Sequence, residues 1–176
     1  MAKFGMLPSL FAAAFLAGCG PSSAHIPAVR DFDSARYLGK WHEIARLPHR
    51  FERGLDRVTA EYALAPDGSI SVTNRGMRGK EVRSIEGRAK LKHPGEQPPT
   101  GELRVSFFWP FYSDYRIIEL PPDYRYSVVT GGTMDYLWIL ARAPRLDATE
   151  LKNILTRLEA LGFDVAKLEY PQPDIE

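Results

Sequence analysis

Gly39-Lys40-Trp41 and Thr133-Met134-Asp135-Tyr136-Leu137-Trp138-Ile139-Leu140-Ala141-Arg142 are the stretches that decide the fold. Each reads as a strand. The first is led by glycine and opens on tryptophan; the second is aromatic and aliphatic and closes on arginine. A buried indole needs its face covered, and a planar guanidinium can lie on it, a contact contributing ~0.5–2 kcal/mol depending on desolvation. A first and a last strand that meet in this way imply a sheet closed into a barrel.

The chain between them is a series of short alternating segments: Trp41–Leu47, Val58–Ala65, Ile70–Gly76, Val82–Lys92, Glu102–Phe108, Asp114–Leu120, Tyr124–Thr130 and Asp135–Ala141, eight strands in all. Pro66-Asp67-Gly68-Ser69 favours a tight reversal, and Gly79-Lys80, Pro94-Gly95, Pro98-Pro99, Trp109-Pro110, Pro121-Pro122 and Gly131-Gly132 punctuate the rest. Links this short favour antiparallel neighbours in up-and-down order. The fold class is therefore all-β, with the barrel spanning about 39–142. A helix over about 147–162 follows, capped by Asp147 with Glu150 three residues on, with Leu151, Ile154, Leu155, Leu158 and Leu161 on one face and Gly162 ending it. That stripe must pack on the outside of the sheet. A short ninth strand is expected over 164–170, stopped by Pro171 and Pro173.

A length of 176 residues fits one domain, here 36–176, with an ample core. Residues 1–18, with Lys3 ahead of the apolar run Leu10–Ala17, have the layout of a secretory signal and are too short to span a membrane. Without that leader's one lysine the 23 basic residues become 22, against 22 acidic, which argues against a nucleic-acid partner. The single cysteine, Cys19, excludes an intrachain disulfide and a cysteine metal site. Leu16-Ala17-Gly18-Cys19 resembles the lipobox of bacterial lipoproteins, which implies that Cys19 is the acylated first residue of the mature chain. Gly20 after it implies sorting to the outer membrane, the protein lipid-anchored with its barrel toward the periplasm. Residues 19–35, rich in Ser, Pro and Ala as far as Arg30, read as a flexible tether.

Gly39–Arg46, Arg50–Leu55, Val105–Tyr112 and Asp135–Arg142, in this order behind a lipobox, resemble the lipocalin family over nearly the whole mature chain. The resemblance implies an eight-stranded antiparallel up-and-down barrel with Gly39, Trp41 and Arg142 as its structural signature, a lipid bound non-covalently in the cavity, and homodimers in some relatives. His42 departs from the usual tyrosine, but alternation turns it away from the Trp41 face.

Alternation assigns the lining. With Arg142 inside, Leu140, Trp138 and Tyr136 follow; on the other strands the more apolar set is taken as inward: Val72 with Asn74, Gly87 with Ala89 and Leu91, Leu103 with Val105 and Phe107, Tyr115 with Ile117, and Tyr126 with Val128. Such a barrel either holds one small ligand or is filled by its own side chains as a structural or partner-binding protein. Gly87 and Ala89 leave room, and an apolar slot edged by Tyr and Trp suits a fatty acid or lysophospholipid, each methylene contributing about 0.8 kcal/mol on burial. Arg50, Arg53 and Arg57 either meet its head group or form a solvated loop balanced by Glu52 and Asp56, where Phe51 and Leu55 touch membrane or shut the mouth.

Glu43 shares the inward face with Trp41, buried and paired, with a tyrosine as one candidate partner. A lipocalin-fold enzyme acting on a hydrophobic substrate is the alternative that such a carboxyl would serve. Neither a nucleophile elbow nor a phosphate loop is present, and His25, His42, His49 and His93 lack ligand spacing, so no catalytic residue, cofactor or metal is expected.

Overall fold

The alternating segments fold into eight antiparallel strands: β1 (Gly39–Arg46), β2 (Asp56–Leu64), β3 (Ile70–Arg78), β4 (Glu81–Leu91), β5 (Glu102–Phe108), β6 (Phe111–Glu119), β7 (Tyr126–Thr130) and β8 (Leu137–Ala141). Each pairs with the next, and β1 pairs with β8 through His42↔Ala141, Glu43↔Leu140 and Arg46↔Trp138, which closes the ring. The computed structural model describes residues 20–174, so the leader 1–18 and Cys19 lie outside them.

Up-and-down order sorts the connections by end. The β1–β2, β3–β4, β5–β6 and β7–β8 turns share one end, which stays open. The other is closed by Phe32, the short helix α1 (Ser34–Tyr37) and Trp41. Asp33 caps α1 by accepting from the Ala35 and Arg36 amides. Trp41 is fully buried, donates from Nε1 to the Tyr37 carbonyl at 2.8 Å, and carries Arg142 on its ring 3.9 Å from the centroid. Arg142 also bonds the Lys40 and Arg36 carbonyls at 3.0 and 2.8 Å, so one guanidinium ties β8 to β1 and α1.

Helix α2 (Ala148–Ala160) starts at the Asp147 cap and lays Ile154 and Leu158, both buried, on the outer wall. Full burial of each side chain contributes roughly 1.5–3 kcal/mol. The stripe stops one turn early: Leu161 is 41% exposed, and the chain reverses at Gly162 (φ +91°) so that Phe163 is buried in its place.

The expected ninth strand does not form as such. Val165–Lys167 is a 3-10 turn, and only Glu169 pairs in β fashion, with Arg46. Phe163, Val165 and Leu168 all pack into the helix-side core, a spacing that alternation cannot satisfy, and Pro171 and Pro173 remove two donors.

Residues 20–32 also depart from expectation. Instead of a flexible tether they form a strap along the wall from the open end to the closed one. Gly20 donates to Asp135 at 2.8 Å, Ser22 bridges Thr133, Val29 bonds Ile117 and Gly101, and Phe32 bonds Pro99. Ser23 and Ile26 are buried, and Nη1 of Arg116 lies within 3.1 Å of the Ser23, Ala24 and Ile26 carbonyls.

The ring is uneven at one seam. β3 pairs with β4 from Ile70↔Ala89 to Arg78↔Glu81, whereas among the described residues the β4–β5 ladder covers only Arg88–Leu91. Glu81 to Glu86 are exposed.

Candidate functional site

The barrel lumen is layered. Above Trp41, Tyr37 lies tilted by 33° with ring centroids 4.7 Å apart, and its hydroxyl joins those of Tyr115 (2.8 Å) and Ser127 (3.1 Å), while Tyr62 bonds Tyr115 at 2.9 Å. This belt of hydroxyls ties α1, β2, β6 and β7 across the interior. Burial raises the phenol of Tyr37 to about 12; burial and then Tyr37 carry Tyr62 well above the ordinary value against the bond from Tyr115, and burial with both Tyr37 and Tyr62 does the same for Tyr115, so all three remain neutral donors.

An apolar wall surrounds and rises above the belt. Val72, Ala89, Leu103, Val105, Ile117 and Leu140 belong to one buried cluster with Ala60 and Val129, and Phe107, Tyr115 and Trp138 pack against it. Asn74 follows Val72 by alternation, and its Oδ1 is buried without a partner. Tyr136 stacks on Trp138 near the mouth at 6.1 Å. Asn74, Phe107, Tyr115 and Trp138 face inward yet stay only half-buried.

Two expected lining residues face the other way. Tyr126 and Val128 point outward into the cluster under α2, and Ser127 and Val129 take the lumen side. Taking the more apolar face as inward fails on β7 because the helix covers its outer face, so all five residues of that strand are buried. The register held the signal: Ser127↔Leu140 and Val129↔Trp138 put them beside residues already assigned inward. Tyr126 serves the wall instead, its hydroxyl donating to Glu119, which also pairs with Arg157 of α2.

The room expected beside Gly87 is taken. A Cβ there would stand 2.6 Å from Cδ1 of Phe107 and 2.7 Å from the Ser106 carbonyl oxygen, so the glycine exists to seat that ring.

The mouth holds a charged cluster. Arg46 faces inward at the end of β1 and meets Glu43 at 2.6 Å and Glu169 at 3.0 Å, with the Leu55 carbonyl at 3.2 Å. Glu43 is therefore paired with arginine and not with tyrosine. The β1–β2 loop folds inward: Glu52 lies 2.8 Å from His49 and accepts from Trp138 Nε1 at 3.0 Å, and His49 sits edge-on to Trp138 at 5.2 Å. Leu55 turns in beside Gly76. Burial, then the neighbouring Glu52, push Glu43 up to about 8 against the pull of Arg46. Burial opposes ionisation of Glu52 as well, but His49, Trp138 and Arg46 outweigh it and bring its carboxyl below the usual range. The surroundings thus drive Glu52 toward its charged form and Glu43 toward its neutral one.

Sequence reasoning missed His49 and Glu52 as mouth residues, because a loop that folds inward carries no periodicity. Glu52 turns in to His49 and Trp138, and Arg50, Arg53 and Arg57 stay exposed at the open end. Among the described residues no group of three or more His, Cys, Asp or Glu is placed to hold a metal ion.

The lipocalin-like domain family model matches residues 32–173. The outer membrane lipoprotein Blc of Citrobacter freundii is 45% identical over 143 residues, covering 81% of this chain and 80% of the relative. The protein of the same name from Escherichia coli (strain K12) is 42% identical over 147 residues, covering 84% and 82%. Among solved structures, insecticyanin from the tobacco hornworm Manduca sexta superposes with a TM-score of 0.70 over 87% of each chain at 20% identity, a likeness of fold.

Proposed function

The chain belongs to the lipocalin family, and on that premise we propose that it is a lipid-anchored outer-membrane lipoprotein, acylated at Cys19, that holds one fatty acid or lysophospholipid in its lumen for storage or transfer within the envelope. Relatives named as outer membrane lipoproteins support the location and the anchor. One observation carries the ligand: an apolar wall lies between a neutral hydroxyl belt and a polar mouth, and its inward side chains Asn74, Phe107, Tyr115 and Trp138 keep accessible surface. An acyl chain matches the wall, where Asn74 Oδ1 lacks a partner, and a polar head matches the mouth, which the paired side chains of Arg46 and Glu52 edge. Binding alone is the mechanism; Glu43 is engaged by Arg46 and serves structure.

Titrating delipidated protein with acyl ligands and following tryptophan emission tests this reading. Saturable quenching that disappears in Trp138→Phe is expected, since Trp138 lies on the lumen wall. A folded protein without saturable quenching would overturn it, as would an empty barrel in native mass spectra of protein purified from its own envelope.

A further inference from the structure

We propose that the open end of the barrel docks on an anionic lipid bilayer, so that the mouth faces the membrane that carries the anchor. Five of the nine large apolar side chains exposed among the described residues lie at that end: Phe51 (56% exposed) in the β1–β2 loop, Val82 (66%) beside the β3–β4 turn, and Phe108 (52%), Trp109 (83%) and Phe111 (52%) at the β5–β6 tip, whereas Leu64 (68%) stands alone among them at the other end. Exposed apolar clusters of this kind mark interaction surfaces. Three neighbouring corners of the rim are thus apolar.

The surrounding charge selects the partner. Over residues 48–57 and 78–83, Arg50, Arg53, Arg57, Arg78, Lys80 and Arg83 outnumber Glu52, Asp56 and Glu81, six to three, in a chain whose total formal charge is only +1. Behind the tip, Lys90 lies 4.6 Å over the Tyr112 ring, and Arg88, Tyr112 and Trp109 edge a surface hollow of about 420 Å³. Apolar tips followed by Trp, Tyr and basic residues reproduce the order of a membrane interface, with basic residues favouring anionic lipid.

The fourth corner is the β7–β8 loop, and it holds the N-terminal strap. Gly20 is bonded there to Asp135, and one peptide unit, about 3.8 Å between Cα atoms, separates it from position 19. A flexible tether of eleven residues would have let the barrel wander by roughly 18 Å in any orientation. The strap removes that freedom and brings the acyl chains out beside the mouth. This second argument rests on the acylation proposed above; the apolar and basic rim does not.

The acylated protein, purified from its envelope and reconstituted in vesicles with brominated acyl chains, tests the orientation. The emission attributable to Trp109, obtained by difference from Trp109→Phe, is expected to be strongly quenched; anchored protein whose Trp109 emission is unquenched overturns the proposal. The mature chain with Cys19→Ser is expected to float with vesicles that are one-third phosphatidylglycerol and not with phosphatidylcholine alone. Replacing Phe51, Trp109 and Phe111 together by serine should weaken that binding roughly tenfold or more. A Cys19→Ser chain that fails to float, or that instead pairs with a second copy through these aromatics in sedimentation, also refutes it. Ligand titration in vesicle-free solution reads the lumen alone, so failure there and failure at the membrane are distinguishable.

Discussion

Replacing Arg116 by methionine should release the N-terminal strap while leaving the barrel closed. Nη1 of Arg116 has two hydrogens and three carbonyls within 3.1 Å, those of Ser23, Ala24 and Ile26, and Nη2 lies 2.9 Å from Glu102. A hydrogen bond from a charged donor contributes about 1.5–3 kcal/mol, and water refills part of what is lost, so the strap loses about 2–4 kcal/mol. At 1.4 kcal/mol per decade its opening equilibrium rises roughly 30- to 700-fold. Glu102 is not left alone, since His93 at 3.2 Å and Lys92 at 4.0 Å remain, which keeps the damage local. Hydrogen exchange is the assay. The Ser23 amide, bonded to Gly132, and the Val29 amide, bonded to Ile117, should lose protection by that factor, while amides of β7 and β8 change far less. Arg116→Lys should recover only part, because one ammonium cannot span the strap carbonyls and Glu102 together. Strap protection that is unchanged, or that falls only in step with β7 and β8, would refute the reasoning.

Other perturbations follow from the lumen. Gly87→Ala sets a methyl against Phe107 and a backbone oxygen, so it should cost about 1–3 kcal/mol and lower the melting temperature by roughly 2–12 °C; an unchanged melting curve would mean the ring does not sit there. Ile154→Ala and Val128→Ala both lie on the helix side; the first should destabilise by about 2–5 kcal/mol in denaturant titrations, yet both should leave the Kd for an acyl ligand within about twofold, and a tenfold change would return that face of β7 to the lumen. For Glu43 the folded-state value of about 8 stands above the ordinary 4.5, so its contribution is complete below about pH 4.5 and is lost as pH climbs through about 8. Glu43→Gln should therefore gain stability relative to the unaltered chain between about pH 5 and 8 in thermal scans, and a flat difference would contradict the raised carboxyl.

The barrel was legible because its strands alternate and its turns are marked; Glu102–Phe108 matches β5 to the residue. Alternation read faces well wherever one side of the sheet met water. It failed at β7, where the apolar stripe of α2 had to land and made both faces apolar. The strap escaped because composition was taken for conformation: Ile26 and Phe32 were its apolar clues, and Arg116, charged between Tyr115 and Ile117, was the cation that could satisfy its carbonyls. Of the mouth cluster, Glu43 was expected inside and paired. His49 and Glu52 depend on a loop path that distant residues, Trp138 above all, determine.

The interrupted ladder between β4 and β5 bears on which guests the lumen accepts. A continuous ring of hydrogen bonds has a girth fixed by strand number and stagger, and stretching it means breaking bonds. Here, among the described residues, the edge from Glu81 to Gly87 has no ladder on its β5 side, so the ring is not hydrogen-bonded across that seam near the mouth. Bending one hairpin about Ala89 widens the bore without breaking the closed lower band that Trp41 and Arg142 secure. If the proposed acyl ligand binds, the lower lumen is a rigid gauge for the tip of its chain, and the upper lumen adjusts to its shoulder. Discrimination should accordingly be sharp in chain length and lax in the breadth of the head.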